Sequence, residues 1–359
     1  MGDVVHGLVA LAAARHHLPG LRVHWVVESA FADLVRRSPM VEQVHEVAIR
    51  QWRKDLLRPA RLTRTLDEMR HAIGSLRSQS YDLVVDAQGL VKSAVLSRLT
   101  RLQGQGQRWG FDAQSARERP AAWAVDQAVR SPPAHHAIRR LLTLLGSAVG
   151  SPLVAELGGS HDGGALLQGP RDPGWPQPLA FDPGLVFQSQ PHSKASMLAG
   201  ADLSQLQSAG YVLLVHGTSR AEKSWPVEHW QQLALQVVER GLVPVFPSGQ
   251  RQDYARAQEM AHQVGGLALA PRSLAETGEW LASARAVVGV DSGLTHWAAA
   301  MGRPTLGLFL ATPVSRFGLG WAPRAFSLEG RDCRPEQAMA QLEALMQPDA
   351  NRTATRTAS

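Results

Sequence analysis

Short apolar runs rich in β-branched residues alternate with amphipathic stretches twice along this chain, and that alternation leaves few folds open. In the first half, runs at Val23–Val27, Val44–Ile49 and Leu83–Val85 are interleaved with helical patterns at Phe31–Arg37, Leu62–Leu76 and Val91–Leu102. Buried-type strands alternating with helices are the pattern of a parallel sheet covered on both faces. A second series reads as strands at Tyr211–His216, Val243–Phe246, Leu267–Leu269, Ala286–Val290 and Thr305–Phe309. Its helices are Val227–Arg240, Tyr254–Val264, Leu274–Ala284 and Leu294–Met301. Between the two series lies turn chemistry such as Gly159-Ser160-His161-Asp162-Gly163-Gly164. The expected division is a first domain over 1–150, a connection or insertion over 151–206 and a second domain over 207–332. A C-terminal helix over 333–347 follows, with the first domain as its candidate packing partner, and then a disordered tail over 348–359. The fold class is α/β, two Rossmann-like parallel-sheet halves with a cleft between them, and ligands in such sheets sit beyond the carboxyl ends of the strands.

A chain of 359 residues is long enough for two such domains, at ~100–200 residues each. The net charge of +6 comes mainly from arginine, which suits a phosphate-rich partner or an anionic surface. Helix-turn-helix, zinc-finger and RNA-binding signatures are missing, so no nucleic-acid partner is expected. The single cysteine, Cys333, makes neither an internal disulfide nor a multi-cysteine zinc site, and a reducing cytoplasm is the default. The apolar run Val4–Ala14 is interrupted by His6 and preceded by Asp3 where a signal peptide would be basic. No stretch reaches the ~20 apolar residues that span a bilayer.

Five clusters can carry chemistry. In Met1-Gly2-Asp3-Val4-Val5-His6, Asp3 is either a plain N-cap of the first helix or a carboxylate presented to a cleft. The stretch His216–Pro226 joins a strand to a helix and holds Thr218, Ser219 and Lys223, a set that suits a pyrophosphate or an ordinary polar loop. Val290-Asp291-Ser292-Gly293-Leu294-Thr295-His296 lies at another strand-to-helix junction. There Ser292 can cap, Gly293 admits close approach, and the first turn offers N–H donors to an anion; His296 is otherwise a structural histidine. Arg50, Arg53 and Lys54 follow a strand and either grip an acidic ligand or form a solvated basic face. Asp86-Ala87-Gln88-Gly89-Leu90-Val91-Lys92 follows another strand. Walker, Gly-x-Gly-x-x-Gly, Gly-x-Ser-x-Gly and His-Glu-x-x-His patterns are lacking. No Asp-x-Asp lies in the predicted core, so no metal site and no cofactor is expected.

Taken together and in this order, these segments resemble the heptosyltransferases, bacterial glycosyltransferases of family 9 with the two-domain GT-B fold. The resemblance covers most of 1–150 and 207–347. It implies an inverting, metal-independent transfer of heptose from ADP-L-glycero-D-manno-heptose to the first Kdo of Kdo2-lipid A in lipopolysaccharide inner-core synthesis, at the cytoplasmic face of the inner membrane. It assigns Asp3 as general base. Thr218, Ser219, Lys223, Asp253, Asp291, Ser292, Gly293, Leu294 and His296 become donor-binding. Arg50, Arg53, Lys54, Gln88 and Lys92 become acceptor-binding. Two departures stand against the pattern. The family's first strand, some ten residues before Met-Gly-Asp, is absent, so Met1 is expected to be an internal methionine of a longer chain. The connection over 151–204 is also longer than expected. A heptose acceptor in place of Kdo, a sugar-nucleotide epimerase, and a non-catalytic sugar-nucleotide-binding homologue are the competing readings.

Overall fold

The computed structural model describes residues 1–17, 20–150, 178–188, 197–198, 201–202, 206, 210–218 and 220–347. Residues 151–177, most of 189–209, Ser219 and the 348–359 tail lie outside the described residues. The described chain forms two compact units. The first holds 1–150, 178–188 and 315–317, and the second holds 197–314 and 318–347.

The first unit opens on helix α1 (Gly2–His17). Val5, Leu8, Val9, Ala10, Leu11, Ala12 and Ala14 are all buried, so the helix is covered on nearly every side. It packs on α6 (Ala137–Val149). Strands β1 (Val23–Glu28) and β2 (Val41–Val47) pair in parallel across helix α2 (Ala32–Arg36). A second parallel set holds β3 (Ser80–Asp86), β4 (Arg101–Phe111) and β5 (Gln127–Val129). Helix α3 (Ile49–Asp55) and helix α4 (Leu62–Leu76) link the two sets, and α5 (Val91–Leu99) links β3 to β4. The two sets are separate sheets, and among the described residues neither β1 nor β3 gains a second neighbour. Side chains bridge them instead. The Tyr81 hydroxyl lies 3.1 Å from both His24 Nδ1 and His45 Nε2.

Three expectations change here. The helix read as Val91–Leu102 ends at Leu99, and Arg101–Phe111 is a strand. Its glycines hid it from the pattern: a Cβ on Gly106 would come within 2.6 Å of the Tyr81 carbonyl, so the glycine answers to close approach of β3 and not to a turn. Residues 178–188, read as part of the connection, pack on the first unit, with Val186 buried and the Gln188 N–H donating to the Arg37 carbonyl at 2.9 Å. The strand read as Val44–Ile49 runs instead over Val41–Val47, and Ile49 opens α3, which carries the basic stretch from Arg50 to Lys54.

The second unit is built on a six-stranded parallel sheet, beside a short antiparallel pair at Met197–Leu198 and Ala201–Asp202. The strands of the sheet are β6 (Tyr211–Val215), β7 (Val243–Pro247), β8 (Leu267–Leu269), β9 (Ala286–Val290), β10 (Thr305–Phe309) and β11 (Ala325–Glu329). The order across the sheet is β8-β7-β6-β9-β10-β11, so the winding direction reverses between β6 and β9. Every residue of β6, β9 and β10 is buried, as expected for strands covered on both faces. The covering helices are α7 (Val227–Glu239), α8 (Arg251–Val264), α9 (Leu274–Ser283), α10 (Gly293–Ala300) and α11 (Pro335–Met346). Helix α11, for which the first domain was the expected partner, packs within this unit. Ala338, Met339, Leu342 and Leu345 join Trp230, Val237 and Leu308 in one core. Its apolar stripe meets α7 and the sheet.

Candidate functional site

In the first unit the site forms around Asp3. The N-cap reading of this residue fails. The helix already begins at Gly2, and the Met1 carbonyl accepts from Val4 and Val5 N–H at 2.9 and 3.1 Å. Freed from capping, the Asp3 carboxylate takes a two-pronged pair from Arg117, NH2 to Oδ1 at 2.7 Å and NH1 to Oδ2 at 2.9 Å. Two parallel N–H donors fix the carboxylate plane as well as its charge. Burial works against ionised Asp3, but the Arg117 hydrogen bonds and charge outweigh it, with the Met1 amine and Lys92 adding to them. The carboxyl is held below its ordinary value.

Arg117 is held by the β3–α5 loop. Asp86 Oδ1 accepts from Gln88 and Gly89 N–H at 3.0 and 3.1 Å, closing a turn in which Gly89 has φ of 62°. A Cβ at Gly89 would meet the Ala116 Cα at 3.1 Å. The Glu118 N–H donates to the Gly89 carbonyl at 3.0 Å, and its Oε2 accepts from Val91 N–H at 2.7 Å. Residues on both sides of Arg117 are therefore clamped to the loop that carries Gln88 and Lys92. Lys92 Nζ lies 3.9 Å from Glu28 Oε1 at the end of β1. Arg50 is close enough for its charge to lower the pKa of the Met1 amine, behind burial as the main cause. Arg53 and Lys54 are exposed on α3, without an ion pair among the described residues. The structure thus gathers Asp3, Lys92 and Arg50, and leaves Arg53 and Lys54 on the surface of the same helix. Arg117 was missed because the strand before its loop, β4, was missed.

In the second unit the predicted residues collect at the carboxyl ends of β6 and β9, where the strand order reverses and ligands of such sheets bind. Asp291 is the hub. Its Oδ2 accepts from Lys223 Nζ at 2.6 Å and from Thr312 Oγ1 at 2.7 Å, and its Oδ1 lies 3.2 Å from His296 Nε2. The Asp291 side chain is only 10% exposed and that of Lys223 17%. Burial opposes the charge on Asp291, but the hydrogen bond and charge of His296, then Lys223 and Thr312, hold its carboxyl far below the usual range. Ser292 caps α10 as expected, its Oγ accepting from Thr295 N–H at 3.4 Å. Thr295 Oγ1 in turn donates to the Val290 carbonyl at 2.7 Å, tying helix to strand. Gly289 makes that junction possible, since a Cβ there would overlap Thr295 Oγ1 and come within 2.9 Å of Val215 Cβ.

Gly293 and Leu294, partly exposed, begin the first turn of α10, whose leading N–H groups have no helical acceptor. Thr218 Oγ1 accepts from Arg220 N–H at 3.4 Å in the loop after β6. Asp253, on the first turn of α8, lies beside that loop, with Oδ2 at 3.6 Å from where a Gly217 Cβ would stand. Ser219 lies outside the described residues. Thr312, after β10, was not foreseen, because nothing in a lone Thr-Pro pair marks it until Asp291 is placed. Trp225, two residues past Lys223, is a core residue whose Nε1 donates to the Cys333 carbonyl at 3.1 Å.

The sequence matches the family described as glycosyltransferase family 9 (heptosyltransferase) over residues 69–161 and 180–346. It is 37% identical over 310 residues to lipopolysaccharide heptosyltransferase 1 of Pseudomonas aeruginosa, covering 86% of this chain and 76% of that protein. It is 32% identical over 323 residues to the protein of the same name from Escherichia coli K12, covering 89% and 87%. Among solved structures it is similar to the E. coli heptosyltransferase WaaC with ADP, at TM-score 0.72 and 30% identity over 95% of this chain and 94% of that one. The same enzyme with ADP-2-deoxy-2-fluoro heptose matches at TM-score 0.70 and 29% identity, over 96% of each chain. With matched segments that cover most of the chain, fall in both units and include Lys92, Arg117 and the residues gathered around Asp291, the chain belongs to glycosyltransferase family 9, the heptosyltransferases.

Proposed function

We propose that this glycosyltransferase moves L-glycero-D-manno-heptose from ADP-heptose to the first Kdo of Kdo2-lipid A, as a peripheral protein at the cytoplasmic face of the inner membrane. The observation that carries the reading is the Asp291 hub, a buried carboxylate holding an ammonium, an imidazole and a hydroxyl at the switch point of the second unit. The heptosyltransferase similar to this chain is named in complex with ADP and with an ADP-heptose analogue, which supports an ADP-sugar as the ligand there.

The chemistry follows from the donors. Lys223 has three N–H groups and spends one on Asp291, leaving two for diphosphate oxygens. Asp291 acts through the groups it positions, because a carboxylate facing a diphosphate would repel it. The N–H groups at the start of α10, beside Gly293 and Leu294, add donors at a helix N-terminus. As the glycosidic bond to ADP breaks, negative charge grows on the diphosphate, and these fixed donors stabilise it without reorganising. Asp253 suits the nucleoside end, where a carboxylate accepts from ribose hydroxyls. Asp3 takes the proton from the acceptor hydroxyl as that oxygen attacks C1 from the side opposite ADP, inverting the centre. Arg50 and Lys92 suit the acceptor's anionic groups, with Arg53, Lys54 and Gln88 on the same face of the reading.

The test is turnover of ADP-heptose with Kdo2-lipid A and, separately, with the heptosylated core. Product only from the heptosylated core would replace the acceptor, and release of free sugar without acceptor would replace the reaction. Asp3→Ala should lower kcat by ~10²–10⁴-fold while ADP-heptose affinity, read by calorimetry, stays level; unchanged kcat would remove Asp3 from the chemistry.

A further inference from the structure

Fifteen residues, Arg50 to Arg64, hold six basic side chains and one acid. Against a whole-chain charge of +6, this is where the imbalance is concentrated. The segment is a helical hairpin: α3, a turn at Leu56–Arg58, a 3-10 turn at Pro59–Arg61, then α4. Its inner side is firmly built. Trp52 is buried and its Nε1 donates to Glu68 Oε2 at 3.2 Å. Asp55, also buried, accepts from Gln51 Nε2 at 2.6 Å and Arg61 NH1 at 3.2 Å.

The outer side is unexpected for a solvated basic face. Leu57, at the tip, is 84% exposed, and Leu56, Leu62 and Leu66 are 38–40% exposed. Four of the nine exposed large apolar side chains among the described residues fall in these eleven positions, so they form a cluster and not random scatter. Leu62 and Leu66 begin the apolar stripe of α4 that continues inward through Met69 and Ile73; only its outer end is uncovered. Arg53, Lys54, Arg58 and Arg64 surround the leucines and are exposed.

We propose that this hairpin tip is the surface that docks on an anionic lipid bilayer, with Leu56 and Leu57 entering the boundary between headgroups and acyl chains. Leu62 and Leu66 follow at the edge. Arg58 and Arg64 reach lipid phosphates, their stems lying along the apolar tip. Each cation near an anionic leaflet adds a modest attraction that fades within a Debye length, so binding must weaken with salt. The clamp of Asp55 on Gln51 and Arg61 keeps the tip presented before contact, so docking orders little new structure. No helix among the described residues is long and apolar enough to cross a membrane, and the contact is peripheral and reversible. A protein partner of acidic character would match the charge, but four leucines interspersed with cations offer it little continuous apolar area.

The proposal rests on and deepens the transferase reading by naming where a lipid-borne acceptor is met, and its binding test omits the acceptor. The full chain is floated with vesicles of phosphatidylcholine alone, or with one third phosphatidylglycerol, neither containing lipopolysaccharide. Binding to the anionic vesicles should be at least tenfold stronger and should weaken steeply with salt. The double variant Leu56→Ser, Leu57→Ser should lose about tenfold or more of that binding, and Arg58→Glu with Arg64→Glu a similar factor. Cys333 is buried, so Leu57→Cys carries an environment-sensitive fluorophore alone, and its emission should shift to the blue on anionic vesicles. The leucine variants should keep wild-type transfer to a de-acylated, water-soluble acceptor and lose it on vesicle-embedded acceptor. Equal binding to both vesicles, leucine variants that bind like wild type, or a label at 57 that stays in water would each overturn the docking surface, and none of these touches the transferase reading. Transfer failing on both acceptors with membrane binding intact would sink the transferase reading instead.

Discussion

At the residue scale the central fact is that each unit pairs a carboxylate with a cation, one pair buried and the other half-exposed. Asp291 is buried and surrounded, so it holds Lys223 and His296 in place. Asp3 is half-exposed, its partner Arg117 likewise, and an exposed pair of this kind is weak enough to open. Arg117 keeps Asp3 ionised but also occupies both of its oxygens. An anionic acceptor that draws Arg117 away leaves the carboxylate charged and available. Replacing Arg117 with Met removes the hydrogen bonds and charge that depress the Asp3 pKa, which then rises. A base must be deprotonated to act, so the acid limb of kcat/KM against pH should move to higher pH in Arg117→Met. A limb that stays in place would mean that Arg117 does not tune this group. Asp3 was legible in the sequence as a candidate, whereas its partner 114 positions away was not, because long-range pairing leaves no local pattern.

Elements decide how close the donor site can be drawn together. The β9–α10 junction brings Asp291, Ser292 and His296 to the same strand end, and it closes only because Gly289 has no side chain. Gly289→Ala forces Thr295 off Val290 or pushes β9 from β6. The expected cost is ~1–3 kcal/mol of stability, the range for overpacking a filled core, read by chemical denaturation. The same displacement should raise KM for ADP-heptose more than it changes the pH profile, because Asp3, the proposed base, belongs to the other unit. Strands with uninterrupted apolar runs, β6, β9 and β10, were legible to within a residue. Strand β4 was not, since glycines selected for close backbone contact look like turn glycines until the neighbour is known.

For the molecule as a whole, the two units differ in how completely their sheets are covered. In the second, three central strands are fully buried, whereas β1 and β3 of the first are mostly half-buried and, among the described residues, each is paired on one side. Exchange of backbone amides should therefore be slowest in β6, β9 and β10 and faster in β1 and β3, since protection tracks burial and pairing. Adding ADP should slow exchange further in the loops after β6 and β9 and leave β1 and β3 unchanged. At a hundredfold excess over Kd the second unit should gain ~2.7 kcal/mol. Slowing spread evenly over both units would contradict a donor site confined to the second.

What the sequence determined by itself is the alternation of strands and helices, the two-unit division and the identity of most candidate groups. These are local properties, set by side-chain periodicity of two or 3.6 and by turn chemistry beside it. Only the tertiary structure decided which groups meet: Asp3 with Arg117, Asp291 with Lys223 and the Thr312 hydroxyl, and helix α11 with the second core. Those partners lie far apart in the chain, and the free energy that selects them comes from burial and pairing in three dimensions, which residue order records only after the chain has folded.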